Sequence, residues 1–152
     1  MPTKNTRRST RRSEASVRVQ DASRARRTPA AARFRDWVRA AASGQTQVTV
    51  RLVGRPEARR LNFAFRDKDY ATNVLTFAYE RGLGDIVLCP AVIAREARAQ
   101  GKTLESHYAH LTVHAILHLR GYDHARVRDA ARMEQAEVRI LKRLGYADPY
   151  VI

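Results

Sequence analysis

The chain has 152 residues, and its 29 lysines and arginines outnumber 15 acidic residues, which gives a formal net charge of +14. Its length predicts one domain, and its single cysteine excludes an intrachain disulfide and a cysteine-rich zinc cluster. There is no apolar run of about 18 residues to predict a membrane span, and no apolar N-terminal segment to predict a secretory signal. The charge exceeds what solubility requires and predicts a polyanionic partner: RNA first, then DNA, then an anionic membrane surface.

Residues 1–13 contain five basic residues, no acidic residue and almost nothing apolar. Such a composition cannot bury a core, so it predicts a disordered basic arm ahead of a single domain at 14–152. Three interpretations of the arm stay open: a segment that folds on RNA, a solvated tail, or the start of an organellar transit peptide.

Hydrophobic periodicity along the rest of the chain predicts alternating strands and helices. Alternating or β-rich segments predict four strands, at 16–20, 47–53, 73–80 and 85–89. Segments with helical spacing predict five helices, at 29–43, 55–66, 90–102, 103–119 and 126–144. The pattern indicates an α+β fold, with a small mixed sheet of about four strands packed against helices and one apolar helix at the centre.

In two of these helices, residues at helical spacing form a stripe along one face. Within 55–66 the stripe consists of Ala58, Leu61, Asn62 and Phe65. Within 126–144 the apolar face consists of Ala130, Met133, Ala136, Ile140 and Leu144.

The segment HAILHLRGYDH, residues 114–124, is the most informative stretch. His114 and His118 lie one turn apart on the same helix face, so both imidazoles can reach one ion. Gly121 can adopt a left-handed conformation that ends the helix and brings His124 back to the same ion. Three neutral imidazoles leave a fourth tetrahedral position open, as in catalytic zinc sites, where the ion lowers the pKa of bound water toward ~7.

The neighbouring residues have other interpretations. His-x3-His alone is more often a pair of core histidines, and the third histidine is what favours a metal. A rival ligand set of His110, His114 and His118 would spread over two turns of one helix and would close poorly on one ion. We therefore interpret His107 and His110 as structural or supporting residues. Asp123 either orients a ligand imidazole from behind or caps the turn, and both roles stay open.

The spacing of the three histidines is also that of zinc proteases of the metzincin type. Those enzymes place a glutamate, their general base, directly after the first histidine. Ala115 occupies that position here, which disfavours peptide hydrolysis. The positive charge favours phosphodiesters instead.

These residues resemble the YbeY family of bacterial endoribonucleases and rRNA maturation factors. HAILHLRGYDH is similar to the family's H-G-x-L-H-L-x-G-Y-D-H, and FRDKDYATNVLTF (65–77) to Y-R-G-K-D-x-x-T-N-V-L-S-F. GDIVLC (84–89) and the M-E-x-x-E, L-G and D-P-Y elements near the C-terminus extend the likeness, which begins near residue 16. There are three departures. Ala115 and Asp67 both stand where the family has glycine, and Asp67 adds an acid near the predicted site. The link between TFAYE and GDIVLC is shorter than in many relatives.

The resemblance implies a zincin-like site on the central helix and the following turn, with one Zn²⁺ held by His114, His118 and His124. It places the family's functional arginine on Arg66, where a guanidinium can grip a phosphate, and we expect Lys68 to contact phosphate too. Thr72 and Asn73 are expected to shape the loop that presents Arg66.

The implied activity is single-strand-specific RNA cleavage in 16S rRNA 3′ end maturation and 70S ribosome quality control. The implied setting is a cytoplasmic monomer that works with RNA and the ribosome or ribosomal proteins, away from membranes. No general base is visible in the motif, so water and the RNA 2′-OH both stay open as nucleophile. Two alternatives are a non-catalytic ribosome assembly factor with structural zinc and a metallohydrolase of another substrate, such as a peptide.

Overall fold

The computed structural model describes residues 14–151, so the predicted basic arm at 1–13 lies outside the described residues. The strands are β1 (Glu14–Asp21), β2 (Gln45–Leu52), β3 (Val74–Glu80) and β4 (Leu83–Leu88). The helices are α1 (Ala31–Ala41), α2 (Arg55–Arg66), α3 (Pro90–Gln100), α4 (Leu104–Leu119) and α5 (Val127–Leu144). The predicted α+β class and the four-stranded sheet are confirmed. None of these helices combines the length and the apolarity that a membrane crossing requires.

The sheet is mixed and has the strand order β1-β2-β4-β3. β1, β2 and β4 run parallel, and β3 pairs antiparallel with β4 through a tight hairpin. β4 ends in Ile86, Val87 and Leu88, all buried, because this central strand is covered on both faces. β1 and β3 are the two edges of the sheet, and the outer edge of β3 borders the site described below.

A large core lies between one face of the sheet and the helices α1, α4 and α5, and a smaller one lies on the other face beneath α2. α4 is the central helix: ten of its 16 residues are buried, including Tyr108, Ile116 and Leu117. Full burial of side chains of this size contributes about 1.5–3 kcal/mol each. The prediction of one apolar central helix is therefore confirmed. The histidines of α4 lie on a helix that is buried over most of its length.

The C-terminal end of α4 is held against the β3–β4 hairpin. The Gly82 amide donates to the Leu119 carbonyl over 2.9 Å, and the Arg120 guanidinium donates to the Ala41 carbonyl over 2.8 Å. Gly84 allows close approach, since a Cβ there would lie 2.7 Å from the Leu119 side chain. The contacts at Gly82 and Gly84 fix the last turn of α4, which carries His118, against the sheet, and the Arg120 bond ties the same end to α1.

The predicted stripe of α2 is correct for its first turns and wrong for the last. Ala58 and Asn62 are buried and Leu61 is half-buried, but Phe65 is 66% exposed. Its ring meets Phe77 of β3 edge-on, with centroids 5.1 Å apart. The physical reason is that β3 is an edge strand, so the last turn of α2 reaches the border of the sheet, where Phe65 is only partly covered.

Candidate metal centre and its cleft

Three histidines converge at the end of α4 and in the turn that follows it. One ring nitrogen of each of His114, His118 and His124 lies within 4.8 Å of the others. The ring centroids are 4.7, 5.0 and 5.8 Å apart. His114 and His118 are half-buried and His124 is exposed, so the group opens to solvent on one side. The structure thus brings together the three predicted ligands, whereas His107 and His110 do not join the group.

The geometry of this group and the protonation of His118 fit a tetrahedral metal ion. The Nε2 atoms of His114 and His118 are 3.2 Å apart. Two nitrogens at 2.0–2.1 Å from a tetrahedral ion lie about 3.4 Å from each other. Burial, helped by the neighbouring His114 and His124, lowers the pKa of His118 to about 4. Its imidazole is therefore neutral at neutral pH, which is the form that binds a metal.

The turn after α4 delivers His124. Gly121 has a φ of +98°, the left-handed conformation expected for it. Asp123 then accepts hydrogen bonds from the backbone amides of His124 and Ala125, over 2.7 and 3.1 Å. These are bonds of the turn-capping kind, which is one of the two predicted roles of Asp123; its role in orienting a ligand imidazole stays a prediction.

We expect Gly121→Ala to weaken metal binding as well as folding. A side chain in the left-handed region costs about 1–2 kcal/mol, and a Cβ here would lie 2.8 Å from the Arg81 guanidinium. Gly101→Ala is the matched control, since Gly101 is also left-handed (φ +66°) but its Cβ would meet open space. Urea unfolding should show a loss of stability in both variants, and zinc titration a loss of affinity in Gly121→Ala alone. Equal zinc affinity in both would show that the turn does not position His124.

A buried carboxylate stands behind the histidines. Glu137 of α5 is fully buried and accepts a hydrogen bond from His114 Nδ1 through one oxygen. Its other oxygen accepts from the Tyr150 hydroxyl and, over 3.3 Å, from His110 Nε2. Burial alone would raise the pKa of Glu137, but the bonds from His110, His114 and Tyr150 outweigh it and lower the pKa to about 2. The ionised carboxylate fixes the tautomer of His114, leaving Nε2 unprotonated and turned toward the other histidines.

The histidines form one wall of a cleft of about 440 Å³. The opposite wall is the end of α2 and the loop after it, and β3 lies between the two walls. The residues that line the cleft besides the three histidines are Asn62, Arg66, Lys68, Tyr70, Thr72, Asn73, Val74, Thr76 and Ala78. Arg66 and Lys68 therefore face the same space as the histidines. Within residues 14–151 neither takes part in a salt bridge, whereas Arg51 and Arg59 are paired with Glu57 and Asp69.

The loop that carries Lys68 is held at both ends. The buried Asn62 side chain donates to the Tyr70 carbonyl over 2.8 Å. Asn73 donates to Glu96 over 2.9 Å, and the same Glu96 oxygen is 2.8 Å from His107 Nε2. Asn73 thus connects the cleft to α3 and α4. Arg66 itself is the last residue of α2 rather than part of the loop, and the role of Thr72 and Asn73 in presenting it stays a prediction.

The chain matches a known protein family over most of its length. A family model described as Endoribonuclease YbeY covers residues 16–145. The Endoribonuclease YbeY of Aromatoleum aromaticum is 56% identical over 127 residues, which span 82% of each chain. That of Nitrosomonas europaea is 58% identical over 78% of this chain and 74% of its own, and that of Thiobacillus denitrificans 51% identical over 90% and 97%. The chain belongs to the endoribonuclease YbeY family.

A solved structure supports the fold of this YbeY family member. The solution structure of TM1509 from Thermotoga maritima aligns with a TM-score of 0.57, over 90% of this chain and 99% of that one. At 24% identity this likeness concerns the fold alone.

The structure explains how the residues that replace glycine of the YbeY pattern, Asp67 and Ala115, are accommodated. Asp67 ends α2 with a φ of +59°, so the position that the pattern gives to glycine is a left-handed one, which aspartate tolerates better than most residues. Asp67 is not among the cleft-lining residues, so the acid that the sequence places next to Arg66 lies outside the cleft. Ala115 is fully buried in the main core and is not among the residues that line the cleft.

Glu137 was not among the residues predicted for the site, although it is the second glutamate of the YbeY element M-E-x-x-E. A signal for it exists in the sequence. Met133, Ala136 and Ile140 form the buried face of α5, and Glu137 lies on that face too. A carboxylate on an apolar stripe requires partners, and three hydrogen-bond donors are what the structure supplies.

We expect Glu137→Gln to weaken zinc binding by about 10- to 100-fold, the range found when a partner of a ligand histidine is changed. Glutamine keeps the shape but loses the charge that fixes His114. Glu134→Gln, one turn earlier on the exposed side of α5, is the matched control. Competition with a chromogenic chelator would measure the affinities, and circular dichroism would check the fold. An unchanged affinity in Glu137→Gln would leave Glu137 with a purely structural role.

Proposed function

We propose that this chain is a zinc-dependent endoribonuclease that cleaves single-stranded RNA in the cleft between the three histidines and Arg66. The observation that carries the proposal is the convergence of three imidazoles with two cations that have no salt-bridge partner in residues 14–151. Membership in a family named for endoribonuclease activity supports RNA as the substrate. In this proposal residues 14–152 act as a single catalytic domain.

The donor set favours zinc as the ion held by His114, His118 and His124. Three imidazoles without a cleft-lining carboxylate suit zinc better than magnesium or calcium, which prefer oxygen ligands. When bound, zinc is a Lewis acid that polarises a phosphate oxygen or activates water. Glu137 holds His114 in the tautomer that can bind it, and we propose that Asp123 keeps His124 in place through the turn.

Arg66 is proposed to grip the scissile phosphate. A guanidinium binds phosphate through two parallel hydrogen bonds and offsets charge that develops at phosphorus. Lys68 adds a second cation on the same wall, and the overall charge of +14 draws the RNA backbone to the protein. RNA binding is therefore expected to weaken steeply as salt is added.

The cleft has polar groups but no carboxylate among its described residues, so no side-chain carboxylate there can serve as the general base. Water and the ribose 2′-OH are the two candidate nucleophiles. Mapping the product ends distinguishes them, because attack by the 2′-OH leaves a cyclic phosphate, whereas attack by water can leave a 5′ phosphate.

The family resemblance supports a cellular role for this activity. The proposed role is 16S rRNA 3′ end maturation and 70S ribosome quality control in the cytoplasm. The protein would act there as a monomer on single-stranded rRNA, together with the ribosome or ribosomal proteins.

The decisive experiment compares one RNA as a single strand and annealed to its complement, with metal content measured on the purified full chain. The proposal expects about one zinc per chain and cleavage of the single strand only. Zinc in that amount with RNA bound but uncut would favour the non-catalytic assembly factor. Cleavage of a peptide instead of RNA would favour the other metallohydrolase.

A further inference from the structure

Four large aromatic side chains stand more than half exposed between the end of α2 and the end of β3. They are Phe63, Phe65, Tyr70 and Tyr79, which are 56%, 66%, 57% and 65% exposed. Isolated exposed apolar residues are common, but one of these four, Tyr70, lines the same cleft as Arg66 and Lys68. Aromatic rings beside cations are the composition with which proteins hold single-stranded nucleic acid.

Tyr70 differs from the other three in its position. It alone lines the cleft that contains the three histidines. The others are placed elsewhere: the Phe65 ring packs edge-on against Phe77, and the Tyr79 hydroxyl donates to Asp85 over 2.5 Å. Within residues 14–151 Tyr70 has no aromatic partner, so its ring is available to a ligand.

The backbone on which Tyr70 stands is fixed. Its carbonyl accepts from the buried Asn62, and the preceding Asp69 is paired with Arg59 over 2.7 Å. Because the backbone is already ordered, stacking on this ring requires little further ordering of the protein. The ring therefore lies on ordered backbone, on the same wall as Arg66 and Lys68.

We propose that Tyr70 is a stacking platform for an unpaired base next to the phosphate held by Arg66, and that this contact gives the cleft its preference for single-stranded RNA. The proposal rests on the proposed function, since it assigns a contact to the same substrate. In a duplex both faces of a base are already stacked, and exposing one requires unstacking that a single strand does not need. A ring also accepts any base, so the contact selects for strandedness rather than for sequence.

The wall around Tyr70 agrees with weak sequence selectivity. The side-chain amides of Asn62 and Asn73 already donate to the Tyr70 carbonyl and to Glu96. What this wall presents to RNA is then mainly one ring and two cations. Binding is expected to tolerate any base at the stacked position and to weaken where the base is missing.

The test measures binding of a single-stranded oligoribonucleotide to the full chain in chelator, which prevents turnover, and then cleavage by the metal-loaded protein. Oligonucleotides lacking one base at each position in turn probe the stacking contact. The variants are Tyr70→Ala, Tyr70→Phe and, as matched control, Phe63→Ala, an equally exposed ring outside the cleft. Tyr70 is exposed and contributes to the fold through its backbone carbonyl, which all variants keep.

Tyr70→Ala should weaken single-strand binding by about 5- to 150-fold, the range of one base–aromatic stack. Tyr70→Phe and Phe63→Ala should bind as the wild type does. One abasic position should weaken wild-type binding by the same factor and leave Tyr70→Ala unaffected. Duplex binding should not change in any variant.

Two results would overturn the assignment while leaving the proposed function intact. One is unchanged single-strand binding in Tyr70→Ala, with wild type binding and cutting normally. The other is an equal loss in Tyr70→Phe, which would assign the contact to the hydroxyl rather than to the ring. Failure of the wild type itself to bind or cut any RNA would instead remove the proposed function, and the platform with it.

Discussion

Replacing His118 by alanine is expected to remove the metal ion and RNA cleavage together. The two remaining imidazoles, His114 and His124, have ring centroids 5.8 Å apart and leave half of a tetrahedral site without protein ligands. Removing a direct ligand should lower the metal affinity by more than ~100-fold, which is the upper end of the range for a residue that only supports a ligand. Cleavage should therefore fall to the background of the uncatalysed reaction.

The fold should survive this substitution. Burial already keeps His118 neutral, with its pKa lowered to about 4, so alanine removes no buried charge from the protein. The helix end stays attached through Leu119 and Gly82. Circular dichroism and urea unfolding would check this, and elemental analysis would measure the metal.

Metal removal from the wild type gives the matched comparison. Chelation should abolish cleavage, and zinc should restore it in the wild type but not in His118→Ala. Restoration by magnesium alone would contradict an imidazole site, since magnesium prefers oxygen ligands. Equal cleavage by wild type, stripped protein and variant would identify the activity as a contaminant.

The histidine group was predictable because its geometry is almost entirely local. The i, i+4 spacing of His114 and His118 follows from the helix itself, and the left-handed Gly121 returns the chain over three residues. The ligand set depends on nothing beyond residue 124. Local stereochemistry of this kind can be read from sequence without knowing how the helices pack.

Glu137 shows where that reasoning stops. It lies on a different helix, and its contact with His114 exists because α5 packs along α4. Packing between helices depends on the shapes of both faces, which a single sequence does not specify. Periodicity shows that Glu137 is an acidic residue on an apolar helix face. It does not show which hydrogen-bond donors Glu137 contacts.

The cleft wall that carries Arg66 was partly predictable, less than the histidine group but more than Glu137. The helix at 55–66 was predictable from its pattern, and the motif marked Arg66, but the exposure of Phe65 was not foreseen. Both residues belong to the last turn of α2, which reaches the edge of the sheet at β3. Which strand is the edge follows from the sheet order, and that order is a tertiary property. The place of the cleft beside the edge strand β3 therefore could not be predicted from the sequence.

Arg66→Ala is expected to lower the cleavage rate by about 10²- to 10³-fold, the loss typical when one donor to developing charge is removed. Folding should not change, since Arg66 is exposed and takes part in no salt bridge of the described chain. Arg66→Lys should recover only part of the rate, because an ammonium keeps the charge but not the two parallel hydrogen bonds.

Arg60→Ala is the matched control for this prediction. Arg60 is an exposed arginine of the same helix that does not line the cleft. Each variant loses one positive charge, so any phosphate contact that either makes would lower the salt slope of single-strand binding by about 0.7. Only Arg66→Ala should lower kcat. A rise in KM with kcat unchanged would mean that Arg66 binds RNA equally before and during the reaction, and charge stabilisation would then depend on the metal centre alone.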